Sequence, residues 1–360
     1  MIRRAAVLLA LAAVPTFSQA QPLPAPTIET KAELHGAVLV RLAAPTAGVK
    51  IYYTLDGSTP TTASQQYLAP FLIDEPATLK AAAIAASGEV GAVASQALTI
   101  DVAPGALVWA DDFKTAGAAP RQPNPAVWTY DAGHGGFGNQ EMETYCGWES
   151  PAPCDAAHPS AYVGADGYLH IVTRQPSPGV YTSARLKTEG RFSFRYGRLE
   201  ARVKVPEAQG FWPAVWLLGN TVATINWPGC GEMDIQERVN TPTTPDWNAG
   251  SIHGPGFVGE KIGVQYKFPP GQNAGGWHTY GVIWTPGRVS YYIDDPTKPY
   301  ATYTPADLAA LPGAHWPFDE GQSQFIIINL AIGGSWPKAP DATTPFPSEM
   351  LVDYVRLYKQ

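Results

Sequence analysis

Residues 197–205 alternate between apolar and charged side chains, and this period of two constrains the fold more than any other pattern in the chain. On an extended strand, the apolar members would share one face and the charged members the other. The chain also contains 35 Gly and 35 Pro, which favours many turns and few helices. We therefore predict an all-β protein, a two-sheet antiparallel sandwich with strands that include 197–205, 277–284, 289–293 and 324–332.

Two regions of different composition follow the N-terminus. Residues 24–101 are rich in Ala, contain no Trp, and hold short alternating runs such as Val49–Thr54 and Thr78–Ile84. From Ala106 onward, Trp and Gly become frequent. We predict a small β-sandwich module at 24–101, a linker at 102–106 that makes few contacts, and a larger domain at 107–360.

Residues 1–20 have the features of a signal peptide. Arg3 and Arg4 form a basic start, Ala5–Val14 is apolar, and Ser18–Ala20 offers small residues for cleavage. The apolar run is about half as long as a bilayer span requires. We predict an exported protein, secreted or periplasmic, that is a soluble monomer without membrane partners. The net charge of −7 also argues against nucleic acid partners.

The chain has three Cys residues, and an oxidising compartment would allow two of them to pair. Cys146 and Cys154 flank a short, turn-rich loop, so we predict a disulfide between them. Cys230 is then left over, two residues before Glu232. A catalytic thiol is one interpretation, but no His lies near it in sequence, and we expect a buried structural Cys.

Three carboxylates, Glu232, Asp234 and Glu237, lie within six residues of a chain that is only 15% charged. The first two share one face of an extended strand. Glu237 has an odd spacing from Glu232, and one β-bulge near Ile235 or Gln236 would return it to that face. Three carboxylates on one surface suit hydrolysis of a sugar acetal, which needs a nucleophile, an acid and a group that tunes them. A calcium cluster or a solvated edge strand is the alternative.

Aromatic residues surround this segment and favour the hydrolytic interpretation. Trp212, Trp216 and Trp227 precede it, and His253 and Trp336 follow it. Sugar rings stack on indole faces, and their hydroxyls need planar polar partners. Trp side chains are also common in cores, an alternative that we favour for Trp216.

The smaller module contains a recognisable segment. Ile51–Pro60 resembles the small β-sandwich at the C-terminus of chitobiase-type enzymes, which also occurs as an accessory module in secreted carbohydrate-active enzymes. Its role would be glycan attachment or spacing. Because the module has no Trp platform, spacing is favoured.

The larger domain resembles glycoside hydrolase family 16, specifically its bacterial laminarinase-like branch. The resemblance implies a curved, concanavalin A-like β-jelly roll whose concave sheet holds a glycan cleft, and hydrolysis with retention of configuration. The motifs that carry it are Trp109–Phe113, Asn139–Tyr145, Asp166–Leu169, Tyr181–Leu186, Tyr196–Arg202, Phe211–Trp216, Asn329–Trp336 and Asp353–Tyr358.

The spacing E-x-D-x-x-E marks the bulged branch of that family, whereas lichenase-type enzymes have E-x-D-x-E. The resemblance implies that Glu232 is the nucleophile, Asp234 an assisting residue and Glu237 the acid/base. Met233 and Asp112 stand where Ile and Glu are usual, and neither change removes a reacting group.

Other site residues are predicted less directly. Arg185 would bind sugar hydroxyls or pair with a carboxylate, and His253 would contact ligand or be structural. The family resemblance also implies a structural calcium on the convex side, held by the Asp353 carboxylate and backbone oxygens near Asp112 and Gly167, but no cofactor for catalysis. The candidates for substrate binding are Asn139, Glu141, Arg185, Trp212, Trp216, Trp227, His253 and Trp336.

The sequence thus predicts an endo-β-1,3-glucanase whose partner is a neutral β-glucan. Activity on mixed-linkage glucan or galactan remains open, as does transglycosylation, which would use the same residues. A non-catalytic glucan-binding protein is disfavoured because all three carboxylates are present.

Overall fold

The computed structural model describes residues 23–114, 120–240 and 246–360. The predicted signal peptide therefore lies outside the described residues. Of the described residues, 45% lie in strands and 6% in helices, which confirms the all-β prediction. Among the described residues, no helix is long and apolar enough to cross a membrane.

The N-terminal module forms two small antiparallel sheets from the strands found in its described part. Their bounds are β1 Thr27–Ala32, β2 Val38–Ala43, β3 Lys50–Thr54, β4 Gln65–Gln66, β5 Phe71–Ile73, β6 Ala77–Ile84 and β7 Val90–Leu98. One sheet has the order β1-β2-β5 and the other β4-β3-β6-β7. The alternating runs predicted at 49–54 and 78–84 correspond to β3 and β6.

The larger domain contains two large sheets. Its strands are β8 Leu107–Asp111, β9 Thr129–Asp131, β10 Glu143–Tyr145, β11 Ala161–Val163, β12 Leu169–Ser177, β13 Val180–Ser183, β14 Arg185–Lys187, β15 Gly197–Lys204, β16 Phe211–Gly219, β17 Glu232–Glu237, β18 Trp247–His253, β19 Gly263–Lys267, β20 His278–Thr285, β21 Arg288–Ile293, β22 Ala301–Tyr303, β23 Gln324–Ile332 and β24 Ser348–Tyr358. The cleft sheet, as we call it, has the order β19-β18-β17-β16-β23-β14-β9. The second sheet runs β10-β13-β12-β24-β15-β20-β21-β22, with β11 beside β12 and β8 beside β24.

Helices are short in the part of the chain that the structure describes. The α-helix α1 is Val222–Ile225, and the 3-10 turns are Leu34–Gly36, Gly136–Gly138, Gly259–Lys261, Pro305–Leu308 and Pro317–Asp319.

The predicted alternation explains how the two large sheets pack. Leu199, Ala201 and Val203 of β15 are each at most 1% exposed, and Met233 and Ile235 of β17 are equally buried. The charged side chains of β15 lie on its opposite face. All nine residues of β23 are buried, as expected for an interior strand between β16 and β14.

The linker at 102–106 packs against the larger domain, so the prediction that it makes few contacts is wrong. Val102 is only 4% exposed, and the Gly105 N–H donates to the Lys359 carbonyl at 2.9 Å. Buried apolar residues of the module and of the larger domain belong to one continuous cluster. The module is therefore docked on the larger domain.

The cysteine predictions are confirmed. Cys146 and Cys154 form a disulfide with a Cα–Cα distance of 5.8 Å. Cys230 is free and fully buried, where it packs with Leu218, Phe325 and Ile327. Burial raises the pKa of the Cys230 thiol to about 11, so this thiol is structural and unreactive in the native protein.

Thiol titration of the denatured, unreduced protein should therefore find one reactive thiol per chain, and three would contradict the bridge. Replacing Cys146 and Cys154 together by Ser should lower the free energy of unfolding by about 2–3 kcal/mol, because the bridge closes a short loop in the unfolded chain. Denaturant unfolding measures this loss.

Candidate active site

The strand β17 is an interior strand of the cleft sheet, between β16 and β18, so the edge-strand alternative is wrong. Its register with β16 shifts between Asp234 and Gln236, because Ile235 is an extra residue. This is the predicted β-bulge, and it returns Glu237 to the face of Glu232. All three carboxylates thus line one cleft.

One buried amide replaces the backbone pairing that the bulge disrupts. Regular pairing of β17 with β18 ends at Asp234. Beyond it, Asn248 Oδ1 accepts from the Glu237 N–H at 3.1 Å, and Asn248 Nδ2 donates to the Ile235 carbonyl at 3.1 Å. Asn248 is 0% exposed, so these bonds are shielded from water. The side chain therefore fixes the backbone on both sides of the bulge.

Each carboxylate has a hydrogen-bond donor of its own. Two of these donors are indole N–H groups, which bring no charge, and the third is a hydroxyl. The bonds run from Trp227 Nε1 to Glu232 Oε2 (3.0 Å), from Trp212 Nε1 to Glu237 Oε1 (3.0 Å) and from Ser251 Oγ to Asp234 Oδ2 (2.8 Å).

His253 lies against two of the carboxylates. Its Nε2 is 2.9 Å from Asp234 Oδ2 and 3.7 Å from Glu232 Oε1. Burial alone would lower the pKa of His253, but the charge of Asp234 and the hydrogen bond to it raise this pKa to about 9. The imidazole is therefore cationic at neutral pH and forms an ion pair with Asp234.

The ion pair affects the pKa values of both neighbouring glutamates. Burial, and then the charge of Asp234, raise the pKa of both Glu232 and Glu237 above the usual range. His253 opposes this rise at both residues, and its Nε2 directly approaches Glu232. The close approach of the imidazolium therefore distinguishes Glu232 from Glu237.

The cleft around these groups has a volume of about 850 Å³ and is lined mainly by aromatic and polar residues. Trp336 packs edge-on against Trp212, with ring centroids 5.4 Å apart, and lies 5.7 Å from Trp247. Trp227 is 48% exposed at the opposite end of β17. Flat aromatic surface is thus available along the cleft on both sides of the carboxylates.

Trp216 lies in the cleft, so our preference for an inter-sheet core position is wrong. Its indole N–H donates to Asn329 Oδ1 at 2.8 Å, and the Arg185 guanidinium lies 4.7 Å from its ring centroid. Trp216 lies four residues from Trp212 on the regular strand β16, so the period of two places both on the cleft face, where Trp216 pairs with Asp234.

The other predicted binding residues also line the cleft. Arg185 pairs with Asp131 at 2.9 Å, which is the carboxylate alternative. Asn139 Nδ2 donates to Glu141 Oε1 at 3.2 Å, and the Tyr145 hydroxyl donates to Glu141 Oε2 at 2.7 Å. Their side chains are thus held in place by partners within the protein.

Several cleft residues were not predicted. Trp247 and Ser251 could have been predicted from the period of two along β18, because they share the face of His253. Asn248 lies on the other face, and no sequence pattern marks its contact with the bulge. Asn329 gives no signal either, since it lies within an apolar run.

The one carboxylate predicted to bind calcium, that of Asp353, already has a partner. Its Oδ2 accepts from Arg202 at 2.7 Å. A hard cation at this carboxylate would therefore have to compete with a guanidinium group. Calcium stays a prediction, and we derive no step from it.

Chemically, the cleft combines two carboxyl groups of raised pKa with an aspartate–imidazolium pair next to aromatic surface. This combination can protonate a leaving oxygen and attack an acetal carbon.

Comparison with known proteins places these features in a family. The model described as "Glycosyl hydrolases family 16" matches residues 156–355, and the one described as "Chitobiase/beta-hexosaminidase C-terminal domain" matches residues 30–95. The chain is 35% identical over 266 residues to the beta-glucanase of Rhodothermus marinus, covering 70% of this chain and 85% of that protein. It is 30% identical over 283 residues to glucan endo-1,3-beta-glucosidase A1 of Niallia circulans, covering 71% of this chain and 38% of that protein.

Solved structures agree with these matches. The laminarinase catalytic domain from Thermotoga maritima shares 35% identity at a TM-score of 0.61, over 72% of this chain and 99% of its own. The endo-beta-1,3-glucanase from Pyrococcus furiosus shares 37% identity at a TM-score of 0.60, over 70% of this chain and 94% of its own. The chain therefore belongs to glycosyl hydrolases family 16 and carries a chitobiase C-terminal-like module at its N-terminal end.

Proposed function

We propose that this glycoside hydrolase is a retaining endo-β-1,3-glucanase that cleaves internal bonds of neutral β-glucans such as laminarin. The observation that carries the proposal is the bulged strand β17, which brings Glu232, Asp234 and Glu237 to one aromatic-lined cleft. Relatives named as laminarinases and endo-1,3-glucanases support the choice of substrate.

The proposed reaction has two displacements. Glu232, as the anion, attacks the anomeric carbon while Glu237 donates its proton to the leaving glycosidic oxygen. A covalent glycosyl-enzyme forms, and Glu237 is left as a carboxylate. It then removes a proton from water, which attacks the same carbon and releases Glu232. Configuration is retained because the carbon is inverted twice.

Asp234 and His253 are proposed to keep the two glutamates in different protonation states. The negative charge of Asp234 raises the pKa of both glutamates, and the approach of the imidazolium to Glu232 at 3.7 Å favours the anion at that residue. The contact of His253 Nε2 with Asp234 Oδ2, at 2.9 Å, also holds the aspartate side chain in place. No cofactor takes part, as is general for this family.

The charge of the cleft supports an uncharged substrate. Arg185 is the sole Arg or Lys among the described residues that line the cleft, and it is already paired with Asp131. Four carboxylates line the same space. Sulfate or uronate groups would therefore meet net negative charge without an unpaired basic partner.

Export is part of the proposal. The disulfide between Cys146 and Cys154 fits an oxidising compartment. Together with the predicted signal peptide at residues 1–20, it supports a secreted or periplasmic enzyme.

The substrate can be tested on a panel of laminarin, barley glucan, carboxymethyl cellulose, agarose and carrageenan. We expect laminarin to be hydrolysed fastest, with short oligosaccharides as early products, and NMR should show the β-anomer first. Preference for agarose or carrageenan, glucose as the sole early product, or initial α-anomer would contradict the proposal. Linkage analysis of the products separates hydrolysis from transglycosylation.

Substitution separates the roles of the two glutamates. Glu232→Gln should lower kcat on laminarin by at least about 10³-fold, because no nucleophile remains. Glu237→Gln should lower it by about 10²–10⁴-fold, and a dinitrophenyl glycoside should restore the first step because its leaving group needs no proton. The matched control is Glu149→Gln, an exposed residue that should retain the wild-type rate. Equal loss on both substrates in Glu237→Gln would contradict its role as the acid.

The raised pKa values predict the pH profile. Because Glu237 must be protonated and its pKa lies above the usual range, activity should persist through neutral pH and fall as Glu237 loses its proton at alkaline pH. The acidic limb should follow protonation of Glu232. We expect a bell-shaped profile of kcat/KM on laminarin. For Glu237→Gln with the dinitrophenyl glycoside, the first step measured by the burst should lose its alkaline limb. An unchanged alkaline limb would contradict the assignment.

A further inference from the structure

The docked module forms hydrogen bonds with the larger domain that are shielded from water. The Leu72 N–H, at the edge strand β5, donates to the Ser193 carbonyl at 2.9 Å, and the Ser193 hydroxyl donates to the Pro70 carbonyl at 2.8 Å. Ser193 is 0% exposed. Separation of the two parts would break both bonds and the continuous apolar cluster around them, so the docked arrangement is strongly favoured.

A second contact places the module against a segment of the larger domain. Gln65 Nε2 donates to the Glu320 carbonyl at 3.3 Å. Gln65 also packs directly against Gly321, where an added Cβ would lie 1.8 Å from Gln65 Nε2. The Gln65 amide thus rests directly on the backbone of residues 320–321.

The same segment packs against the start of β17. It contains the 3-10 turn Pro317–Asp319, and Phe318 is 1% exposed. A Cβ at Gly231, whose φ is +75°, would lie 3.0 Å from Pro317 Cγ and 3.1 Å from Phe318 Cε1. Only Gly allows this approach, and the next residue is Glu232.

The 3-10 turn is also anchored from the second sheet. The Gly287 N–H donates to Asp319 Oδ2 at 2.9 Å, and the Tyr196 hydroxyl donates to Asp319 Oδ1 at 3.3 Å. Besides these bonds, the segment 317–321 contacts Gly231 on the inside and Gln65 of the module on the outside.

We infer that the N-terminal module is a positioning element for the nucleophile rather than a spacer. By docking at Ser193 and contacting residues 320–321, it holds the segment 317–321 against Gly231 and thereby fixes the start of β17 and the Glu232 carboxylate. The inference uses the proposed glucanase activity as one readout and hydrogen exchange as a second that needs no substrate.

The first test follows the full-length protein without substrate. Calorimetry should show a single unfolding transition, and the Leu72 amide should exchange as slowly as amides of the catalytic core. In the undocked variant Leu72→Pro/Ser193→Ala, amides at 318–321 and 231–233 should exchange at least about tenfold faster. Two separate transitions in the wild type, or unchanged exchange at 231–233 in the variant, would overturn the inference.

The second test measures catalysis on soluble laminarin oligosaccharides well below the unfolding temperature. The undocked variant should lose about 10- to 100-fold in kcat with KM within about twofold, as expected when a reacting group is misplaced by about 1 Å. The acidic limb of the variant's pH profile should move to lower pH, because a less tightly held Glu232 is better hydrated and its pKa is therefore lower. A role limited to stability would lower the unfolding temperature and leave both kcat and the limb unchanged, which would overturn the inference.

A milder pair of variants controls for general damage to the fold. Gln65→Ala removes the contact with residue 320, whereas Gln66→Ala, one residue further along β4, serves as the matched control. We expect Gln65→Ala to change exchange at 318–321 and kcat in the same direction as undocking, by a smaller factor, and Gln66→Ala to change neither. Equal effects of the two would overturn the inference. Absence of glucanase activity in the wild type would refute the proposed function and leave the exchange result intact.

Discussion

The geometry of the site depends on one backbone irregularity, the bulge at Ile235. Without it, Glu237 would point between the sheets, and β17 would bring only two carboxylates to the cleft. A bulge removes ladder hydrogen bonds, and the buried Asn248 amide supplies replacements on either side of the extra residue. Tyr300 adds a further bond to the same amide at 3.2 Å. The position of the Glu237 carboxyl group is thus set by a buried side chain that does not line the cleft.

Charge in the cleft is organised around a second fixed element, the pair of Asp234 and His253. The negative charge of Asp234 raises the pKa of both glutamates, and the charge of His253 opposes that rise at both. Each glutamate also accepts a hydrogen bond from a neutral indole. The close approach of His253 Nε2 to Glu232, at 3.7 Å, is therefore the contact that sets Glu232 apart.

The sequence was informative wherever a short-range pattern determines the outcome. The alternation in β15, the odd spacing of the three carboxylates and the short loop between Cys146 and Cys154 each predicted a local feature that the structure contains. Contacts between distant segments had no such signal. Asn248 at the bulge and the docking at Ser193 both depend on which segments become neighbours, which short-range patterns do not specify.

The central claim is that Glu232 forms a covalent bond to the sugar. Incubation with a 2-deoxy-2-fluoro-β-laminaribiosyl fluoride would measure this most directly, because the fluorine slows the second displacement while the good leaving group permits the first. Mass spectrometry of the digested protein should find one disaccharide per chain, attached to Glu232. A label on Asp234 or Glu237, or turnover of the reagent to the α-anomer without any label, would contradict the account.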